Sequence, residues 1–130
     1  MCGFSGCLST KNLPVNINEV LRAMGQAIES RGPDSSGTWK DDSFNLGFSH
    51  QRLAVVDLSD AGNQPMSSHS NRYVLVFNGE IYNHLQMRKD LESEYRPIPW
   101  SGKSDTESLL AGFDCWGIKK TIEKSNGMFA

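Results

Sequence analysis

Tyr73, Val74, Leu75, Val76 and Phe77 form a run in which every side chain is β-branched, leucine or aromatic. Such a run predicts a strand buried on both faces. A strand of that kind must lie between other layers, so the rest of the chain has to supply them.

The remaining sequence offers both strands and helices. Residues 2–8 are short, glycine-containing and half apolar, consistent with a first strand, and Asn12, Leu13 and Pro14 break it. From Asn18 onward Val20, Leu21, Met24, Ala27 and Ile28 recur at helical spacing. Arg31, Gly32, Pro33 and Asp34 then read as a structural turn that stops this helix. Residues 44–58 predict one or two strands ending in Leu53, Ala54, Val55 and Val56, and the polar stretch 59–71 predicts a loop. Asn83 with Gln86 resembles a helix cap and its partner three residues on, opening a helix with Leu85 and Leu91 inward. Ser104 and Glu107 make a fuller capping box before Leu109, Leu110 and Phe113. A short helix from Ile118 closes by Gly127, and Met128, Phe129 and Ala130 begin another strand. The mixture with antiparallel-looking connections predicts an α+β fold rather than βαβ winding. Its 130 residues fit one domain, 1–130.

Composition narrows the function classes. The formal net charge is −2 and the basic residues Lys119, Lys120 and Lys124 read as the wet face of a helix, which argues against nucleic acid as a partner. No apolar run reaches the roughly 18–20 residues that span a bilayer, and the start lacks the charged and apolar regions of a secretory signal. A cytoplasmic chain with reduced thiols is expected, and no membrane partner. Three cysteines, Cys2, Cys7 and Cys115, are an odd number, against a disulfide framework. Cys2 and Cys7 would lie about 16 Å apart along a strand at about 3.3 Å per residue. His50, His69 and His84 have no close ligand spacing, so no metal site is expected.

Cys2 stands directly behind the initiator methionine. Removal of Met1 would give Cys2 a free α-amine with a reference pKa of about 7.7–8.0, beside a thiol of about 8.5. Part of that amine is neutral near pH 7, so one residue can supply nucleophile and base together. Position alone also fits a buried cysteine that happens to be second. Asn78-Gly79 after a strand is a strong hairpin signal by itself, Arg52 reads equally as an exposed or salt-bridged arginine, and Asp105 as a first-turn helix carboxylate.

Six segments in register change the balance: Met-Cys-Gly at 1–3, Arg-Gly-Pro-Asp at 31–34, Gln-Arg-Leu-Ala-Val-Val-Asp-Leu-Ser at 51–59, Gln-Pro at 64–65, Asn-Gly-Glu-Ile-Tyr-Asn at 78–83 and Ser-Asp-Thr-Glu at 104–107. In that order they resemble the glutaminase domain of the glutamine-hydrolysing asparagine synthetase family, a class II glutamine amidotransferase. The resemblance implies an N-terminal-nucleophile hydrolase fold, an αββα sandwich of two antiparallel sheets between helical layers. It also implies that the chain is the N-terminal portion of that domain, incomplete at its C-terminal end and without the synthetase domain.

The same resemblance implies roles. Cys2 is the nucleophile, and the Asn78 side chain with the Gly79 N–H forms the oxyanion hole, where aimed donors steady developing charge. Arg52 holds the α-carboxylate of free L-glutamine through its planar bidentate donors, and Leu53, Ala54, Val55 and Val56 line the same pocket. The family more often has serine where Ala54 stands; backbone contacts there would make the difference small. Asp105 meets the substrate α-ammonium with Glu80 nearby. Cys7, Cys115, the three histidines, Tyr82 and Trp100 are expected to pack or lie on the surface. The glutaminase step needs no cofactor, while ATP and Mg²⁺ belong to the absent synthetase domain; a homodimer is compatible. Two other readings stay open: a silent truncated segment that only binds or packs, and an amidotransferase serving another acceptor. Class II relatives usually carry a His-Thr-Arg-type run where this chain has His50, Gln51, Arg52 and Leu53, which favours the asparagine synthetase branch.

Overall fold

A computed structural model of the chain describes residues 2–10, 16–95 and 97–130. The break expected at Asn12, Leu13 and Pro14 lies outside those residues. The chain packs as two compact units, one made of Met1–Ala54, Asn63–Pro65 and Val76–Asn78, the other of Val55–Gly62, Met66–Leu75 and Gly79–Ala130.

The first unit is built on a three-stranded antiparallel sheet of β1 (Gly3–Leu8), β2 (Ser35–Asp41) and β3 (Leu46–Arg52), in the order β1-β3-β2. The register pairs Phe4 with His50 and Gly37 with His50, so His50 lies mid-sheet. Helix α1 (Ile17–Gln26) starts where the Asn16 side chain accepts the Asn18 N–H at 3.0 Å, satisfying one of the donors a helix start leaves open. Its fully buried Leu21 packs over Gly47, and Gly25 sits against Ser49. Side chains alternate along a strand, so Phe48, His50 and Arg52 occupy the face away from α1, where Phe48 stacks on Trp39 at 5.7 Å. The helix stops at Gln26 and a short 3-10 turn, Glu29–Arg31, leads into Gly32, earlier than the turn residues suggested.

The second unit holds two small antiparallel pairs and three helices. The strands β4 (Met66–Ser67) and β5 (Val74–Leu75) pair together, as do β6 (Gly79–Ile81) and β7 (Gly127–Phe129). Helix α2 (His84–Glu94) packs against α3 (Asp105–Trp116), and α4 (Ile118–Lys124) follows after Gly117. Met87 and Leu91, four residues apart on one helical face, join Leu109, Leu110 and Phe113 in the buried core. The expected capping box is present: Ser104 Oγ accepts the Glu107 N–H at 3.2 Å. Every strand pair among the described residues is antiparallel, and the α+β class stands.

Six local expectations need correction. β3 ends at Arg52 rather than running through Leu53, Ala54, Val55 and Val56, and the doubly buried strand over 73–77 shrinks to Val74–Leu75, which is only half-buried. In both places side chains take the backbone groups that a ladder would use: Cys2 Sγ the Leu53 N–H, Asp34 the Ala54 N–H, and Gln64 the Phe77 N–H. Asn78-Gly79 is no hairpin, because Gly79 opens β6, whose partner is β7. Asn83 does not cap α2 with its side chain; its amide donates to Lys124 O and accepts the Asn126 N–H. Leu85 is 63% exposed and Met87 takes the inward place, and Tyr82, expected to pack, is 58% exposed.

Candidate active site

Cys2 lies just before β1, half-buried, and its sulfur accepts the Leu53 N–H at 3.3 Å while lying 3.6 Å from the Leu53 carbonyl oxygen. Two residues of the 31–34 turn brace this arrangement. Arg31 donates to the Cys2 carbonyl at 3.5 Å, and Asp34 Oδ2 accepts the Ala54 N–H at 2.8 Å. The Asp34 N–H in turn donates to Arg52 O at 3.0 Å, beside an isolated bridge between Pro33 and Arg52. The turn is therefore structural, as expected, with a more specific task than ending a helix: it holds the stretch from Arg52 to Ala54 after the sheet stops.

Arg52 is buried, 7% exposed, and donates to Asn63 Oδ1 at 2.8 Å. Ser35 donates to the same oxygen at 2.9 Å. Leu53 and Ala54 are partly covered, whereas Val55 and Val56 are exposed and belong to the other unit. Asn78 shares a unit with Cys2 and Arg52, and its Oδ1 is buried with no hydrogen-bond partner among the described residues. An unpartnered buried amide oxygen is costly and calls for an explanation.

Gly79, Glu80 and Asp105 belong to the second unit. A Cβ on Gly79 would collide with the Met128 carbonyl and the Phe129 backbone, so only glycine allows this approach of two strands. Asp105 is 7% exposed; one carboxylate oxygen accepts the Ile81 N–H at 2.9 Å and the other its neighbour Thr106 N–H at 2.9 Å. It thereby ties the start of α3 to the strand that carries Gly79 and Glu80, while each oxygen keeps a second lone pair. Glu80 is exposed on β6.

Two histidines that the sequence reading set aside, and Arg88, which it did not single out, lie near candidate residues of their own units: His50 in the first, His84 and Arg88 in the second. His50 is fully buried and its Nε2 lies 3.2 Å from Phe77 O; burial pushes its pKa down, the Phe77 hydrogen bond raises it and Arg52 lowers it. His84, first in α2, has a pKa lowered mainly by burial, with Asp105 raising it, Arg88 lowering it and Glu80 raising it. Arg88 donates to Gly102 O, Ser104 O, Ser108 Oγ and Glu107, and lies over the Trp100 ring, fixing the loop that leads to Asp105. A lone histidine or arginine gives no sequence signal of such partners. Burial, then the Asp114 and Glu94 charges, pushes the Cys115 thiol up, away from the thiolate and in keeping with a packing role. Among the described residues no group of three or more His, Cys, Asp or Glu is gathered as a metal-ligand set, and no helix is long and apolar enough to cross a membrane.

The family model for the glutamine amidotransferase domain matches residues 1–130. The chain belongs to that family. This amidotransferase domain is 37% identical over its whole length to asparagine synthetase [glutamine-hydrolyzing] 1 of Bacillus subtilis, covering 20% of that protein. It is 33% identical to asparagine synthetase B of Escherichia coli, again over the whole chain and 22% of the relative. A protein of Gibberella zeae named amidase chry2 is 32% identical, with 100% of this chain and 20% of that one covered. The chain thus spans about a fifth of the length of the curated relatives it matches.

Proposed function

We propose that this amidotransferase domain hydrolyses the side-chain amide of free L-glutamine to glutamate and ammonia, with Cys2 as nucleophile. The observation that carries the reading is the Cys2 sulfur resting on the Leu53 N–H next to buried Arg52. A thiol and a cation are thereby set side by side at one strand end, one for the amide and one for the α-carboxylate.

Once Met1 is removed, the Cys2 α-amine takes the thiol proton, directly or through a water. The sulfur bonds to the amide carbon, and the carbonyl electrons move onto oxygen, to which the Asn78 side-chain N–H and the Gly79 N–H donate hydrogen bonds. The carbon–nitrogen bond breaks as the protonated amine returns its proton to the departing ammonia. Water then cleaves the γ-glutamyl thioester and frees glutamate. Arg52 orients the substrate carboxylate bidentately, Asp105 and Glu80 attract its ammonium, and residues Leu53, Ala54, Val55 and Val56 border the chain. Nucleophile, base and oxyanion donors are all protein groups, so this step asks for no metal or organic cofactor.

The ammonia goes to aspartate, for asparagine synthesis on a synthetase domain that uses ATP and Mg²⁺, in the cytoplasm; a homodimer suits the assembly. The relatives named asparagine synthetase support this acceptor. The relative named an amidase supports the amide cleavage itself; a second reading has the same glutaminase step serve a different acceptor.

Cys2→Ala should abolish ammonia release and leave cooperative unfolding intact. Asn78→Ala should lower kcat by about 10²–10³-fold, the usual cost of one oxyanion donor. Intact mass after exposure to a glutamine-like electrophile should show one adduct, on Cys2. Full glutaminase activity in Cys2→Ala would refute the assignment.

A further inference from the structure

Both backbone polar groups of Phe77, which lie in successive peptide planes, are held by side chains from the same unit. Gln64 Oε1 accepts the Phe77 N–H at 2.6 Å, and His50 Nε2 lies 3.2 Å from Phe77 O. The Phe77 side chain is itself buried. Phe77 O belongs to the peptide plane that also carries the Asn78 N–H, so a bond at that oxygen fixes the plane from which Asn78 departs. No sheet ladder does this job, because β5 has already ended at Leu75 and β6 has not begun.

The donor is well chosen for rigidity. A carbonyl oxygen only accepts, so Nε2 carries the proton and Nδ1 is bare; Nδ1 is buried with no partner among the described residues. His50 stands on the central strand between Phe4 of β1 and Gly37 of β2. Gly37 is needed there, since a Cβ would collide with the Gln64 carbonyl. That absence of a side chain lets the loop carrying Gln64 lie close over β2. Both clamps on Phe77 therefore trace to the sheet that also presents Arg52 and, through Leu53, seats Cys2.

We infer that His50, with Gln64, is a positioning residue for Asn78: by clamping the Phe77 peptide it aims the Asn78 carboxamide at the oxygen of the amide under attack. The inference rests on the glutaminase reading above and deepens it. A misplacement of about 1 Å in a catalytic group can cost about 100-fold in rate.

The test uses the full chain in three variants. His50→Leu removes the donor, His50→Gln places an amide N–H at a similar reach, and Gln64→Leu removes the other clamp. Amide NMR reads the Phe77 backbone N–H and the Asn78 side-chain NH₂, and ammonia release gives kcat and KM. In His50→Leu the Asn78 side-chain signals should move or broaden while those of α3 stay. Its kcat should fall about 100-fold with KM little changed, and His50→Gln should restore most of the loss. Unmoved Asn78 signals in His50→Leu, or equal damage in His50→Gln, would overturn the inference. If His50→Leu does not fold, Gln64→Leu decides by the same Asn78 signals. If the unmodified protein releases no ammonia, the glutaminase reading fails by itself, and the NMR arm still decides whether His50 aims Asn78.

Discussion

Arg88 and Glu107 meet in a nearly dry setting, with side chains 12% and 7% exposed and Nη2–Oε2 3.0 Å apart. Around them the guanidinium donates to Gly102 O at 2.9 Å, Ser104 O at 2.9 Å and Ser108 Oγ at 2.8 Å. Glu107 accepts the Ser101 N–H at 2.6 Å and the Gly102 N–H at 3.1 Å. Arg88→Met keeps most of the apolar stem but leaves two carbonyls without this donor and a buried carboxylate without its cation. Breaking a buried pair from one side costs about 3–5 kcal/mol, a large share of the roughly 5–15 kcal/mol that holds a domain of this size. Glu107→Gln should cost less, about 2 kcal/mol, because the Arg88 guanidinium keeps the Gly102, Ser104 and Ser108 oxygens as acceptors. The double variant has no uncompensated charge, so the losses should fall short of additive by at least about 1 kcal/mol. Urea unfolding followed by far-UV circular dichroism measures all three; tryptophan fluorescence reports the same site, since the Arg88 guanidinium lies 4.0 Å from the Trp100 ring centroid. Losses that add to within about 0.5 kcal/mol would show that the two groups act independently and that the loop is held by something else.

Leu21→Ala, on the fully buried face of α1, should lower stability by about 2–5 kcal/mol, read as a lower urea midpoint. Gly79→Ala should separate β6 from β7, since its methyl meets the Met128 and Phe129 backbone; faster hydrogen exchange at Tyr82, whose N–H donates to Asn126 O at 2.7 Å, with loss of ammonia release, checks it. His50 and His84 both have folded pKa values lowered chiefly by burial. A lowered folded pKa means the unfolded chain binds more protons just below the ordinary histidine value near 6.5. Their contribution is therefore complete above about pH 6.5 and is lost as the pH falls through the folded values, so the urea midpoint should drop between pH 7 and pH 5. A flat or rising midpoint would contradict that sign.

Periodicity and caps carried the reading where backbone answers backbone. The helical spacing of Val20, Leu21 and Met24 produced α1, and Ser104 with Glu107 marked the start of α3 to the residue. The six matching segments named the residues around Cys2 and Asp105. What escaped was structure held by side-chain-to-backbone bonds between distant segments. β2 went unseen because its residues, from Ser35 to Asp41, are hydroxyl-bearing or charged apart from Gly37 and Trp39, half-buried on alternate positions, and lack an apolar rhythm. The apolar runs at 53–56 and 73–77 were over-extended for the opposite reason. Their hydrophobic pattern says strand, yet Cys2, Asp34 and Gln64 reach their N–H groups first. Asn83 was read as a cap because its type and spacing fit, while its amide bonds residues 124 and 126, which no local rule can see.

These bonds share one logic. Chain segments that present groups to a substrate have to leave the sheet, and a backbone that leaves a sheet needs new partners for its N–H and C=O groups. Here polar side chains from the other motif segments supply them: Asp34 to Ala54, Arg31 to Cys2, Gln64 to Phe77, Asp105 to Ile81, and Asp57 to Lys103 at 2.6 Å. A motif residue can thus be indispensable without touching substrate, and substitution alone cannot separate the two roles. Residues that brace should be rescued by any side chain that restores the same donor or acceptor to the backbone. A residue that contacts substrate should instead be rescued only by one that restores charge and shape. Under the proposed function, both demands would fall on the one carboxylate of Asp105, which already accepts the Ile81 and Thr106 N–H groups. Asp105→Asn, whose remaining oxygen can still accept the Ile81 N–H, should keep the fold while weakening the hold on an ammonium group.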